Sequence, residues 1–216
     1  LKQQGMNVTV LHLMDRIMDR QLDSKASQML KTAIEQKGIT ILTEANTECL
    51  IGEEGHVTQV KLKDGTVLAA DLVVFAVGIR PNIALAQSAG LRCNRGVLVN
   101  DTMQTFDPSI YAVGECIEHR GQTFGLVEPL WGQAFICASH LAEHGSLTFK
   151  SPTVPTQLKV SGCDVFSAGD FEPKDDFEDI VLNDEKRQIY KRIIIQKDKV
   201  IGAVLFGDTE DGAWYA

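Results

Sequence analysis

The sequence predicts an α/β protein in which a parallel sheet is interrupted by an antiparallel meander and followed by a small strand-rich α+β domain. Three observations predict this. Helical and strand patterns alternate over residues 1–42, as in the middle of a parallel βαβ sheet. Two turn signals between residues 47 and 70 mark a meander, and from residue 151 onward the chain reads mostly as strands.

Each element has its own signal. "LKQQG" reads as the last turn of a helix closed by Gly5, and "NVTVLHL" as a short buried strand. A helix starts near Asp23 or Ser24. Its apolar residues Ala26, Met29, Leu30, Ala33 and Ile34 recur at i, i+3, i+4, i+7 and i+8, and Gly38 stops it. "ITIL" follows as the next strand. The meander turns near Gly52 to Gly55 and again at Asp64-Gly65. "DLVVFAVG" is a continuous apolar run, expected to be a buried central strand. After "GIRPN", Asn82 can cap the short helix "IALAQSAG". A further helix is expected over about Pro129 to Glu143, with Gly145 at its end. Beyond it, "TQLKVSG" and "DVFSAGD" read as strands, residues 170–185 as an acidic loop, and 188–208 as a hairpin turning at Lys197-Asp198. "TEDGAWYA" reads as the first turn of an unfinished helix.

Composition narrows the function. The 216 residues are 44% hydrophobic and 23% charged, as in soluble globular proteins, with no apolar run long enough to span a bilayer. The start lacks a secretory layout, so a cytoplasmic protein is expected. A formal net charge of −8 and a pI near 5.1 argue against nucleic acid as a partner. The five cysteines (49, 93, 116, 137 and 163) are scattered without a C-x-x-C, so buried reduced thiols are expected rather than a zinc ribbon or disulfide framework. No metal site is expected: the C-x-x-H of Cys116 and His119 lacks further ligands, and His140 and His144 lack the glutamate of H-E-x-x-H. The acidic stretch from Asp170 to Asp179 reads as a solvated loop or a docking segment.

The stretch "YAVGECIEHRGQTFGLVEPLWGQA", Tyr111 to Ala134, carries the chemistry. Apolar residues run into Gly114 and an acid, and a loop then leads to Pro129 near the head of a helix. Such a passage sets backbone N–H groups and a carboxylate where a phosphate-bearing cofactor can lie. Yet the sequence contains no G-x-G-x-x-G. Such a turn is expected just upstream of Leu1, making the chain an interior fragment of a two-dinucleotide flavoprotein.

The order of strand, helix, meander, "AVGIRPN", "TFDPSIYAVGE" and helix resembles the pyridine-nucleotide-dependent FAD oxidoreductases. More narrowly, "LMDRIMDRQLD", "YAVGECIEHRG", "GLVEPLWGQA" and "TQLKVSGCDVFSAGD" are similar to the flavoprotein half of the large subunit of NAD(P)H-dependent nitrite reductase. The resemblance implies partial Rossmann-like FAD/NAD(P)-binding domains: residues 1–104 as the remainder of the NAD(P)-binding domain, 105–149 as the C-terminal part of the FAD-binding domain, and 150–216 as the small strand-rich domain. It implies electron flow from NAD(P)H to FAD, then through an iron–sulfur cluster to siroheme, where nitrite becomes ammonia. The ligands of those last two centres lie outside this chain, and no catalytic side chain is assigned within it.

The same resemblance assigns site residues. Gly114 and Glu115 match the family's Gly-Asp pair, where the carboxylate accepts a hydrogen bond from a flavin ribityl hydroxyl; the plainer alternative is a strand-end acid in water. Glu for the commoner Asp shifts that acceptor by a methylene. Pro129, Leu130 and Trp131 begin the helix whose N-terminus faces the isoalloxazine, with core packing the alternative for Trp131. His12 stands where an acid would select NAD, and Arg16 follows it, which tilts the reading toward NADP or dual use. A half-buried His at a strand end is the alternative. Gly78 is expected to let the chain pass close to the nicotinamide nucleotide, or simply to turn at a strand end. The expected partners are NAD(P)H, the remaining domains of the parent chain, a small subunit and, through exposed sheet edges, a second copy. The isolated chain is expected to bind FAD weakly or not at all. Two other readings stay open: a reductase of the rubredoxin, ferredoxin or NADH-oxidase kind, and a non-catalytic interaction module.

Overall fold

The computed structural model describes residues 1–142, 145, 147–151, 155–160, 162–172 and 176–215. The chain forms two compact units, one of residues 1–74 with 153–216 and the other of residues 75–152.

In the first unit, a 3-10 turn at Lys2–Gln4 closes on Gly5, whose φ of 82° few side chains tolerate. Strand β1 (Val8–Leu11) pairs in parallel with β2 (Ile39–Leu42), and helix α1 (Ser24–Glu35) connects them. The meander follows as β3 (Thr47–Glu53), β4 (His56–Leu62) and β5 (Val67–Ala69), all antiparallel. Later chain supplies a five-stranded antiparallel sheet. Its strands are β9 (Thr156–Val160), β10 (Cys163–Gly169), β11 (Glu178–Asp184), β12 (Ile189–Gln196) and β13 (Lys199–Phe206), in spatial order β11-β12-β13-β10-β9.

This sheet is covered on both faces. Val204 and Phe206 of β13 join Val165 and Tyr190 against Leu30 and Ile34 of α1. The alternate residues Ala203 and Leu205 pack with Phe166, Ala168 and Tyr215 of the terminal helix α4 (Gly212–Tyr215). A period of two thus sends neighbouring apolar residues to opposite cores. The β12–β13 turn is Lys197-Asp198, both at positive φ (51° and 59°), the backbone of a type I′ hairpin.

One carboxylate fastens α1 to that sheet. Asp23, 4% exposed, caps α1 by accepting from the Ala26 N–H at 2.9 Å. Its second oxygen accepts from the Tyr190 hydroxyl at 2.7 Å and from Arg192 at 3.3 Å. Arg192 also donates to Asp179 at 2.7 Å. Burial, with Asp23 as acceptor, raises the Tyr190 pKa above its ordinary value, so the hydroxyl stays a donor.

The second unit contains helix α2 (Ala84–Ser88), strands β6 (Val97–Val99), β7 (Ile117–His119) and β8 (Gln122–Thr123), and helix α3 (Val127–Leu141). Strand β6 pairs in parallel with β7, and β7 antiparallel with β8. Met103, Ile117, Phe124, Ile136, Cys137 and Phe149 form the core. Buried Glu118 accepts from Asn94, from the Arg95 N–H at 2.8 Å and from the Gly96 N–H at 3.2 Å. Burial pushes this carboxyl upward, but those donors outweigh it and hold it below its ordinary value. Gly96 cannot carry a side chain, because a Cβ would stand 2.4 Å from the Ile117 carbonyl carbon. Asp101 accepts from Arg120 through both oxygens, at 2.9 and 2.6 Å, and faces the buried His119 Nε2 at 2.8 Å.

Five expectations need correction. The run "DLVVFAVG" is not a buried central strand: residues 72–79 carry no regular secondary structure and join no ladder, and Val77 is 87% exposed. An interior parallel strand needs neighbours, and β1 pairs with β2 alone among the described residues. The residues before Gly114 form no strand either, only an isolated bridge between Tyr111 and Gln104. Conversely, Ile117–His119 is a strand and not a loop, because Val97–Val99 offers it a parallel edge. Residues 178–184, read as part of an acidic loop, are strand β11, which pairs along β12 while exposing its side chains. Asn82 is not the cap of α2, whose N-cap is Ile83 with no side-chain cap; it sits one residue earlier and accepts from the Ala84 N–H at 3.3 Å.

Two stability experiments follow. Asp23→Ala removes a helix cap and leaves Tyr190 and Arg192 without their buried acceptor, for an expected loss of about 3 kcal/mol in urea unfolding. Arg120, then His119, hold the Asp101 carboxyl at about 2, below its ordinary 3.8. A depressed carboxylate contributes stability that is whole above the unfolded value and lost as pH falls through the folded one. Between about pH 4 and pH 2, Asp101→Asn should therefore unfold with a shallower acid dependence than the unsubstituted chain, followed by circular dichroism.

Candidate functional site

The candidate residues fall in both units. His12 and Arg16 belong to the first, and Gly78, Gly114, Glu115, Pro129, Leu130 and Trp131 to the second.

His12 directly follows β1, and its N–H donates to the Leu42 carbonyl at 2.8 Å, continuing the β1–β2 ladder. This is the carboxyl end of a parallel strand, where ligands bind in open α/β sheets. Its ring is partly buried, with Nε2 3.6 Å from the Asp19 carboxylate and in no hydrogen bond. Arg16 donates to both oxygens of Glu172, at 2.8 and 2.9 Å, and to Ser24 at 3.2 Å, while its buried Nε is unpartnered. The acidic stretch after Asp170 thus supplies a partner to Arg16 and, through Asp179, one to Arg192.

In the second unit, Gly114 opens the turn into β7 with a φ of 102°, a conformation that disfavours any side chain. No heavy atom lies within 4 Å of where its Cβ would be, so the backbone there is open to close approach. Glu115 is exposed and makes no hydrogen bond or ion pair among the described residues. Its neighbour three residues on, Glu118, is fully engaged by donors; Glu115 is the acid left to be presented.

Helix α3 begins at Val127, two residues ahead of Pro129, with no side-chain cap on its first N–H groups. Pro129 is buried, and Leu130 packs against the core. Trp131 is 73% exposed, which excludes core packing as its role in this structure. With Val127 and Phe135, four residues to either side, it makes an exposed apolar stripe along α3. Gly78 has a φ of 80° and open space at its Cα. The following Ile79 lies over Gly125, whose Cβ would meet Ile79 Cδ1 at 3.2 Å, so this segment runs beside the approach to α3.

Gln133 escaped the sequence reading. It is wholly buried on α3, accepts the Gly114 N–H through Oε1 at 2.8 Å, and leaves Nε2 without a partner. A polar residue at an inward helical position was its only sequence signal.

The open Gly114 backbone, the unpaired Glu115 carboxylate, the uncapped head of α3 and the orphaned Gln133 Nε2 fit the flavin end of FAD. A phosphate-cradling glycine turn is absent from these 216 residues. Among the described residues no group of three or more His, Cys, Asp or Glu side chains is placed to hold a metal. Cys116 donates to the Val113 carbonyl at 3.5 Å, and His140 Nδ1 meets the Tyr111 hydroxyl at 2.8 Å. His144 lies outside the described residues. No helix among the described residues is long and apolar enough to cross a membrane.

Comparison with known proteins places the chain in a family. Residues 155–216 match the rubredoxin NAD+ reductase C-terminal domain. The chain is 48% identical, over 96% of its length, to the nitrite reductase [NAD(P)H] of Bacillus subtilis. It is 44% identical, over 98% of its length, to the assimilatory nitrate reductase electron transfer subunit of the same organism. It spans only 26% and 27% of those two relatives. Among solved structures, an NAD-dependent persulfide reductase from A. fulgidus superposes with a TM-score of 0.85 at 26% identity, covering 99% of this chain and 43% of that one. Residues 1–133 match the pyridine nucleotide-disulphide oxidoreductase family, and the chain belongs to it.

Proposed function

We propose that this chain is the flavoprotein portion of a nitrite reductase [NAD(P)H] large subunit, passing electrons from NAD(P)H to FAD. The observation that carries this reading is the 48% identity to the Bacillus subtilis enzyme, which runs through both units. When bound, FAD supplies acceptance of hydride from NAD(P)H and onward transfer of its electrons. The chain's own residues bind and orient. Gly114 admits the cofactor to the backbone, and Glu115 accepts a hydrogen bond from a ribityl hydroxyl. The positive end of the α3 dipole favours negative charge on the reduced ring. Pro129 and Leu130 anchor that helix end to the core, while exposed Trp131 offers an aromatic face beside it.

For the nicotinamide nucleotide, the family resemblance assigns His12 and Arg16 in the first unit to the adenosine ribose and, in the second unit, Gly78 to close passage of the chain. Arg16 reaches a 2′-phosphate only by exchanging Glu172 for it. The iron–sulfur cluster and siroheme, a small subunit and a second copy of the chain belong to the parent assembly, placed in the cytoplasm. A second reading has a specific relative behind it: the 44% identity to an assimilatory nitrate reductase electron transfer subunit favours the same flavin site serving another acceptor.

The test uses protein expressed from the complete reading frame. Glu115→Gln is expected to weaken FAD binding roughly 10-fold, as loss of a charged acceptor does, read by flavin fluorescence. NADH- or NADPH-driven consumption of nitrite supports the first reading, and electron delivery to a nitrate reductase without nitrite turnover supports the second. Glu172→Gln frees the Arg16 guanidinium and is expected to lower the KM for NADPH roughly 5-fold while leaving NADH within about 2-fold. Unchanged NADPH kinetics would remove Arg16 from the nucleotide site.

A further inference from the structure

We infer that Gln133 is the positioning residue of the flavin site, holding the Gly114–Glu115 turn at the geometry in which it meets the cofactor. The inference rests on the flavin reading of that turn given above.

Residues 112–114 join no strand; the turn is bracketed by the single bridge at Tyr111 and by the Cys116 carbonyl, which accepts from the Val97 N–H at 2.8 Å, and the Cys116 thiol donates to the Val113 carbonyl at 3.5 Å. The Ala112 N–H donates to the Met103 carbonyl at 3.0 Å, and the Gly114 carbonyl accepts from Ile117 at a long 3.4 Å. Gly114 itself, at a φ of 102°, has no side chain to pack. The Gln133 Oε1, 2.8 Å from the Gly114 N–H, is the side-chain contact that fixes the peptide.

The amide orientation follows from chemistry. Gly114 offers a donor, so the oxygen must face it and Nε2 must point elsewhere. Gln133 is wholly buried, and Nε2 has no partner among the described residues. A buried, unsatisfied donor is costly and rare, and here its cost is set against the hydrogen bond that the oxygen accepts from the Gly114 N–H. Because α3 carries Gln133, this hydrogen bond ties the Gly114 peptide itself to the helix, while the Tyr111–His140 contact holds the chain three residues earlier. The same hydrogen bond occupies the Gly114 N–H, so the cofactor meets an open glycine Cα and the free Glu115 carboxylate.

Gln133→Met keeps the volume and removes the acceptor. Gln133→Glu keeps an oxygen for the Gly114 N–H, and a buried carboxyl facing a single donor stays protonated, so it copies the neutral amide. FAD affinity, by fluorescence quenching, and the absorption spectrum of the bound flavin are measured on protein from the complete reading frame. Gln133→Met is expected to weaken FAD roughly 10-fold and shift the flavin absorption, whereas Gln133→Glu stays within about 3-fold of the unsubstituted protein. Gln133→Met combined with Glu115→Gln is expected to bind FAD no more weakly than the worse single variant, because both act through one turn.

A purely structural role predicts additive losses and an unshifted spectrum, and either result overturns the inference. FAD uptake by Gln133→Met equal to that of the unsubstituted protein overturns it alone. No FAD uptake by the unsubstituted protein overturns the flavin reading and the inference with it. Should Gln133→Met fail to fold, Gln133→Asn takes its place: one methylene shorter, it falls short of Gly114 and is expected to lose FAD as Met does.

Discussion

A single buried carboxylate sets the first unit. Asp23 ends a loop, starts α1 and accepts from two residues of a sheet formed more than a hundred residues later. A lone buried charge is strongly unfavourable, and this one is tolerated because backbone, hydroxyl and guanidinium donors converge on it. Helix α1 lies between β1 and β2 in the chain, so fixing its start also fixes the loop carrying His12 and Arg16. Arg16 in turn finds Glu172 just past β10. The candidate nucleotide residues are therefore held by chain that the family comparison assigns to a different domain.

Local order was legible wherever one residue type has one physical use. The α1 stripe, the left-handed Gly5 and Gly38, and the Asp64-Gly65 and Lys197-Asp198 turns all stand as read. Partner identity was not legible. An apolar run such as Leu72 to Val77 says that a surface wants covering, without saying what pairs with it. Short β7 and exposed β11 are strands because of their neighbours, and their own sequences carry no strong alternation.

The candidate site divides in the same way. Gly114 and Glu115 were singled out through the family resemblance, as a glycine and an acid after an apolar run, whereas the left-handed φ of Gly114 and the exposure of Glu115 became visible only in the structure. Gln133 was not singled out, since one polar residue on a mostly apolar helix reads as a solvent-facing position until the helix is rotated into place. Of two acids three residues apart, Glu115 precedes β7 and is presented, while Glu118 lies within β7 and is enclosed by Asn94, Arg95 and Gly96.

The discontinuity of the first unit bears on how the chain reaches its structure. The β12–β13 hairpin closes over two residues and can form on the microsecond scale. Docking α1 onto that hairpin must instead wait for residues 75–152 to be looped out. Loop closure grows only logarithmically with length, about 0.6 kcal/mol per doubling, so the final stability barely registers the intervening unit. The folding rate registers it fully. Until Asp23 meets Tyr190, the apolar face of α1 and the sheet it will cover both stand in water, and that interval is when the chain is most exposed to aggregation.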